Sequence, residues 1–182
     1  ISYPRKFLFA FLTFCLLLTG YTAQAQLVVN PGVPAATLVS NLVGAGMSVS
    51  NVSLNCPTNA YATFSNGNTT NIGITNGIIL TTGSAVNAIG PNNNSGMGTC
   101  NGTSGSDPQL TAIEPLATED LCVLEFDVVP QCNTLTIRFV FGSEEYPEFV
   151  NASFNDAFGF FISGPGPACQ PNYYNNTNVA TL

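Results

Sequence analysis

Two neighbouring stretches, "LCVLEFDVVP" and "NTLTIRFVF", place an apolar side chain at every second position. In the first, Cys122, Leu124, Phe126 and Val128 share one face while Glu125 and Asp127 take the other. In the second, Leu135, Ile137, Phe139 and Phe141 alternate with Thr134, Thr136 and Arg138. A period of two belongs to a strand with one buried face, because successive side chains point to opposite sides of a sheet. "VPQCN" between the two runs has turn chemistry, which predicts a hairpin of residues 121–129 with 133–141. A one-sided strand has to be covered by a second layer. The chain is therefore expected to stack sheets rather than bundle helices.

The rest of the sequence has the same texture. "MSVSNVSL", "YATFS", "IGI" and "GIILTTG" are short β-prone runs separated by Asn, Gly, Ser and Thr. "AFGFFISG" adds a further strand with Phe158, Phe160 and Ile162 on one side, and "GPGPACQP" then interrupts regular structure. Residues 87–108 are crowded with Asn, Gly and Ser and predict a long surface loop, or a small irregular subregion tied down by Cys100. One helix is predicted, in "PAATLVSNLVGAG", where Leu38, Val39, Leu42 and Val43 have helical spacing and Gly44 can end the turn. The expected fold class is all-β, a two-sheet, jelly-roll-like β-sandwich with one short N-terminal helix.

Residues 1–25 read as an export signal. Arg5 and Lys6 precede the apolar run Phe7 to Leu18, and Ala23 and Ala25 supply small residues for cleavage before Gln26. The run falls short of the roughly 20 residues that cross a bilayer, and no other stretch is apolar enough to do so. Cleavage also removes two of the three cations, leaving Arg138 to face ten acidic residues. Such a chain repels phosphate backbones and anionic lipid, which excludes nucleic acid as a partner. Residues 26–182 are long enough for one domain with its own core.

The chemistry is limited by what is missing. There is no histidine, and Lys6 leaves with the signal, so Ser-His and Ser-Lys nucleophiles are excluded. Five cysteines remain after cleavage, Cys56, Cys100, Cys122, Cys132 and Cys169, without a C-x-x-C pair, and export puts them where disulfides persist. A Cys122–Cys132 bond would span most of a strand in the expected hairpin, roughly 20–25 Å, far beyond the about 7 Å limit for bridged Cα atoms. Counting across the acidic loop brings Cys132 near Cys169. The expected pairs are Cys132–Cys169 and Cys56–Cys100, with Cys122 buried and unpaired.

Four of the ten acidic residues fall in "FGSEEYPEFVNASFNDAFGFF", residues 141–161. Three readings fit. A pair among Glu144, Glu145, Glu148 and Asp156 could serve glycoside hydrolysis, which needs only two carboxyl groups about 5–9 Å apart. Glu144, Glu145, Asn155 and Asp156, with Asp107 from the long loop, could hold calcium, an ion that prefers several oxygen ligands. Two adjacent glutamates share an ion only in a turn or bulge, since a regular strand points them apart. On the third and simplest reading, the carboxylates of Glu144 and Asp156 accept backbone N–H groups in a loop between strands. Asn155-Asp156 then turns the chain, and Phe154, Phe158 and Phe160 fill the core. Arg138 has Glu125 or Asp127 on the neighbouring strand as its natural partner.

"EFDVVP", "FVFGSEEYPEFV" and "SFNDAFGFFISGPG" closely resemble the choice-of-anchor L domain, and "NGIILTTG" and "GPNNNSG" follow the same pattern. The resemblance extends over residues 26–182. It implies a bacterial exported protein, held at the surface or secreted, with adhesion, display or docking as its role and no known reaction. It also implies further strands beyond "NNTNVATL" and then an anchoring or sorting module. The ligand is expected to be a glycan or a protein. The competing expectation is a carbohydrate-binding or carbohydrate-processing domain, in which Tyr146 and Phe149 replace the tryptophan usual in sugar platforms.

Overall fold

The computed structural model describes residues 26–94, 96–131, 134–143, 149–150, 152, 155–166 and 170–180. The fold is mostly β with few helices. Strands β1 (Val28–Pro31), β3 (Tyr61–Ser65) and β4 (Gly77–Leu80) form an antiparallel sheet in the order β1-β3-β4. Strands β2 (Met47–Asn55) and β5 (Val123–Pro130) pair antiparallel, as do β6 (Phe161–Gly164) and β7 (Tyr174–Asn178). These sheets are not closed.

The expected helix is α1 (Ala35–Leu42). It ends before Gly44, with Val43 extended and its N–H bonded to the Val39 carbonyl. Leu38 and Val39 are its buried residues. Leu38 joins Val33 and Tyr61 in the core, with Leu54, Cys56, Ile78, Cys122 and Leu124 packed against them. The core thus sits where α1, the β3–β4 pair and the β2–β5 ladder meet. Burying a leucine fully is worth about 1.5–3 kcal/mol, and Leu38 has no exposed surface. A second helix, α2 (Pro108–Ile113), and 3-10 turns at Gly67–Thr69 and Ala85–Ile89 were not expected from the sequence.

The β5 pattern places its faces as its sequence requires. Leu124, Phe126 and Val128 are half-buried, while Glu125 and Asp127 are exposed. Its partner, however, is β2 rather than residues 133–141. Alternation fixes which face is buried but not which strand lies alongside, and β2 presents a matching apolar face. The β2 alternation changes phase midway, from Met47 and Val49 to Val52 and Leu54. The register slips there, from Ser50 opposite Asp127 to Ser53 opposite Glu125. Asn51 sits at the slip with a left-handed φ of 52° and donates from Nδ2 to Asp127 Oδ2 at 2.5 Å. An extra residue in one strand is a β-bulge, and it keeps the apolar side chains of both halves on the core face.

The disulfide pairing differs from expectation. Cys56 is bonded to Cys122, and Cys100 is a free, exposed thiol. This overturns both the Cys56–Cys100 pair and the unpaired Cys122. The ladder supplies the reason, because Cys56 and Cys122 directly continue the register of Asn55 with Val123. Cys132 and Cys169, the other expected pair, lie outside the described residues.

Residues 134–143 form no ladder among the described residues, and "AFGFFISG" becomes a strand only from Phe161. "GPGPACQP" does end that strand, but β7 returns from it to pair with β6. Phe158, expected in the core, is 39% exposed. Among the described residues no ion pair joins Arg138 to Glu125 or Asp127; Asp127 is bonded to Asn51 instead.

Candidate functional site

Among the described residues, the carboxylate with the most elaborate surroundings was not singled out by sequence. Asp120, 9% exposed, precedes β5 and adopts a left-handed φ of 52°. Its Oδ1 accepts from the Thr103 backbone N–H at 2.8 Å and the Thr103 hydroxyl at 3.0 Å. Its Oδ2 accepts from the Asn101 backbone N–H at 3.0 Å. Its own N–H donates to the Thr103 carbonyl at 2.7 Å. Burial pushes this carboxyl's pKa up, but the bonds from the Thr103 and Asn101 backbones, the Thr103 hydroxyl and the Cys100 thiol outweigh it. The result is a pKa below the ordinary carboxylate value.

Asn101 extends the network. Its Nδ2 donates to the carbonyls of Thr82 and Gly83 at 2.8 and 2.9 Å, and its Oδ1 accepts from Asn59 Nδ2 at 2.6 Å. Side chains at Asn59, Asn101 and Asp120 thereby bind the long loop to the turn after β4 and to the start of β5. Gly83 permits the close approach, since a Cβ there would lie 2.9 Å from the Thr99 carbonyl oxygen. The loop is fastened by hydrogen bonds where a Cys100 disulfide was expected. Its partners lie 17 to 19 residues from Asp120 in sequence, so local pattern gives no sign of it.

Of the residues considered for calcium, Asp107, Asn155 and Asp156 are among the described residues. Asp107 caps α2, its Oδ1 accepting from the N–H groups of Gln109 and Leu110 at 2.7 and 3.2 Å. Asn155 lies at the other end of that helix, where its Nδ2 donates to Glu114 Oε2 at 3.3 Å. Asp107 and Glu114 are separated by about 10 Å of helix at 1.5 Å per residue, whereas two ligands of one calcium ion lie within about 5 Å of each other. Asp107 and Asn155 therefore do not face one cage. Asp156 is exposed. Glu144, Glu145 and Glu148 lie outside the described residues, as do Tyr146, one of the expected sugar-platform rings, and Phe154. No group of three or more metal-ligating side chains occurs among the described residues.

What the acidic stretch does carry is an exposed aromatic face. The Phe158 ring packs against Phe139 and Phe141, with centroids 5.5 and 6.0 Å apart. Phe139 and Phe141 are two residues apart and meet the same ring, as expected where the chain is extended. The three rings are 38%, 49% and 39% exposed for Phe139, Phe141 and Phe158. Leu135 and Val140 are also exposed. Exposed rings packed together in this way mark a contact surface more often than a scattered leucine does.

A family model described as Choice-of-anchor L domain matches residues 28–182. Neither a curated protein nor a solved structure matches the chain.

Proposed function

This chain belongs to the choice-of-anchor L domain family, and on that premise we propose that it is an exported β-sandwich module that docks a partner at the cell surface without catalysis. The family is one of exported, surface-associated modules. Residues 1–25 act as the export signal, and the mature chain starts at Gln26. Among the described residues no helix is long and apolar enough to cross a membrane, and an anchoring module beyond this domain holds it at the surface.

The observation that carries this reading is how the polar and apolar groups are used. The carboxylates of Asp120, Asp107 and Glu114 are occupied by hydrogen bonds that hold loops and helix ends. The Phe139–Phe158–Phe141 face, in contrast, is open to a partner. The same rings favour the carbohydrate reading as the alternative, because an exposed aromatic surface can stack on a sugar.

Binding to a glycan array, followed by incubation with common polysaccharides, separates the readings. The docking account predicts no release of reducing ends. Saturable glycan binding without turnover would make the partner a sugar, and turnover would replace this account with an enzyme.

A further inference from the structure

We propose that the Tyr173 ring, with the side-chain amides of Asn172 and Asn175, forms a binding site for a neutral sugar chain. The site goes beyond the docking reading and does not rest on it: Tyr173 lies at the turn end of the β6–β7 hairpin, whereas Phe158 precedes its open end. The first observation is a ring that is held in place and still open. Asn172, with a left-handed φ of 54°, turns the chain into Tyr173. The Tyr173 ring meets that of Tyr174 edge-on, with centroids 4.9 Å apart. It also lies against Gly166, where an added Cβ would run into Tyr173 Cβ, Cγ and Cδ1. The Gly166 N–H donates to the Gln170 carbonyl at 2.8 Å, which ties the two sides of the turn together. Tyr173 is nevertheless 56% exposed. A ring fixed by its neighbours before a ligand arrives loses little freedom on binding.

The second observation is that this ring stands alone. Among the described residues of 161–180, Tyr173 is the one large apolar side chain that is exposed. A protein interface is built on a core of several such side chains. A pyranose needs a single ring, whose negative face attracts the C–H groups on one side of the sugar.

The third observation is the polar groups beside it. Asn172 and Asn175 are exposed, and their side-chain amides have no hydrogen-bond partner among the described residues. Other polar side chains of the hairpin are already used. Asn176 Oδ1 accepts from the Ser163 hydroxyl at 3.0 Å, and Asn178 Oδ1 accepts from the N–H groups of Phe160 and Ala180 at 3.1 and 3.0 Å. An amide both donates and accepts, which matches a sugar hydroxyl. Residues 157–182 contain no Asp, Glu, Lys or Arg, although the chain has ten acidic residues. An ionised sugar would lose solvation here and gain no charged partner, so the site selects a neutral one.

The test is calorimetric titration of the full chain with cellohexaose, mannohexaose and maltohexaose, and with hexagalacturonate as the ionised comparison. At least one neutral oligosaccharide should bind saturably, with an affinity unchanged as salt rises from about 0.05 to 0.5 M. Hexagalacturonate should bind at least about tenfold more weakly. Tyr173→Ala should weaken binding about tenfold or more, while Tyr173→Phe, which keeps the ring, should stay within about twofold. Asn175→Ala should cost about threefold to tenfold, and Phe158→Ser should change nothing. Hydrogen exchange in β6 and β7 should be the same in the parent and in Tyr173→Phe, so that variant reports on contact rather than folding. Four results would overturn the proposal: no binding of any of the three neutral oligosaccharides, equal binding of hexagalacturonate, full affinity in Tyr173→Ala, or loss of binding in Phe158→Ser. The last would move the sugar to the face described above, so failure here and failure of the docking account are told apart.

Discussion

Cys56 and Cys122 face each other one step beyond the Asn55–Val123 pair of the β2–β5 ladder, with Cα atoms 4.1 Å apart. That is close to the about 4.5 Å spacing of a narrow antiparallel pair. The bond closes a long segment, with a sequence separation of 66, which includes β3, β4 and the long loop. Non-reducing peptide mapping should yield a Cys56–Cys122 peptide, with Cys100 open to alkylation. Replacing both bridged cysteines with serine should cost roughly 4 kcal/mol of stability, the loop-entropy value for this length. A Cys56–Cys100 peptide would contradict the register.

How much of this was legible in sequence differs by element. The β5 alternation fixed a strand and its buried face, because burial on one side imposes a period of two wherever the strand pairs. It could not choose between β2 and residues 133–141. The β2 phase change at Asn51 is a readable bulge signal, since only an extra residue keeps Val49 and Val52 on one side. Asp120 was illegible because its function depends on loop segments brought back from 17 to 19 residues away. The acidic stretch was conspicuous for its composition, but of its candidate ligands the structure ties Asn155 to Glu114, a partner that no spacing or motif singles out.

Asp120 is expected to set an acid limit on stability. Its folded pKa is lowered, so the stabilisation is complete above the unfolded value of about 3.9 and is lost as pH falls through the lower folded value. Asp120→Asn presents an amide N–H₂ where the carboxylate accepted from Thr103 or Asn101. It should cost roughly 2–3 kcal/mol at pH 7 in urea unfolding. The gap between variant and parent should narrow below about pH 4. An undiminished gap at pH 2 would show that Asp120 acts by packing.

Calcium is expected to leave thermal unfolding unchanged. Asp107 caps α2, and Glu114 accepts from both the Leu116 N–H and Asn155, so neither stands free as a ligand. Titration of metal-free protein to millimolar calcium should move the midpoint by less than about one degree, because a ligand that does not bind adds no linkage term. A rise of several degrees would establish a site on the acidic stretch, and Asp156→Asn should then abolish that rise.

Export is the claim on which the docking account depends most. It is tested by brief protease treatment of intact producing cells, with N-terminal sequencing of the protein recovered from their surface and medium. The account predicts that the chain is accessible to protease outside the cell and begins at or near Gln26. Protein found only inside the cell, still carrying Phe7 to Leu18, would contradict it.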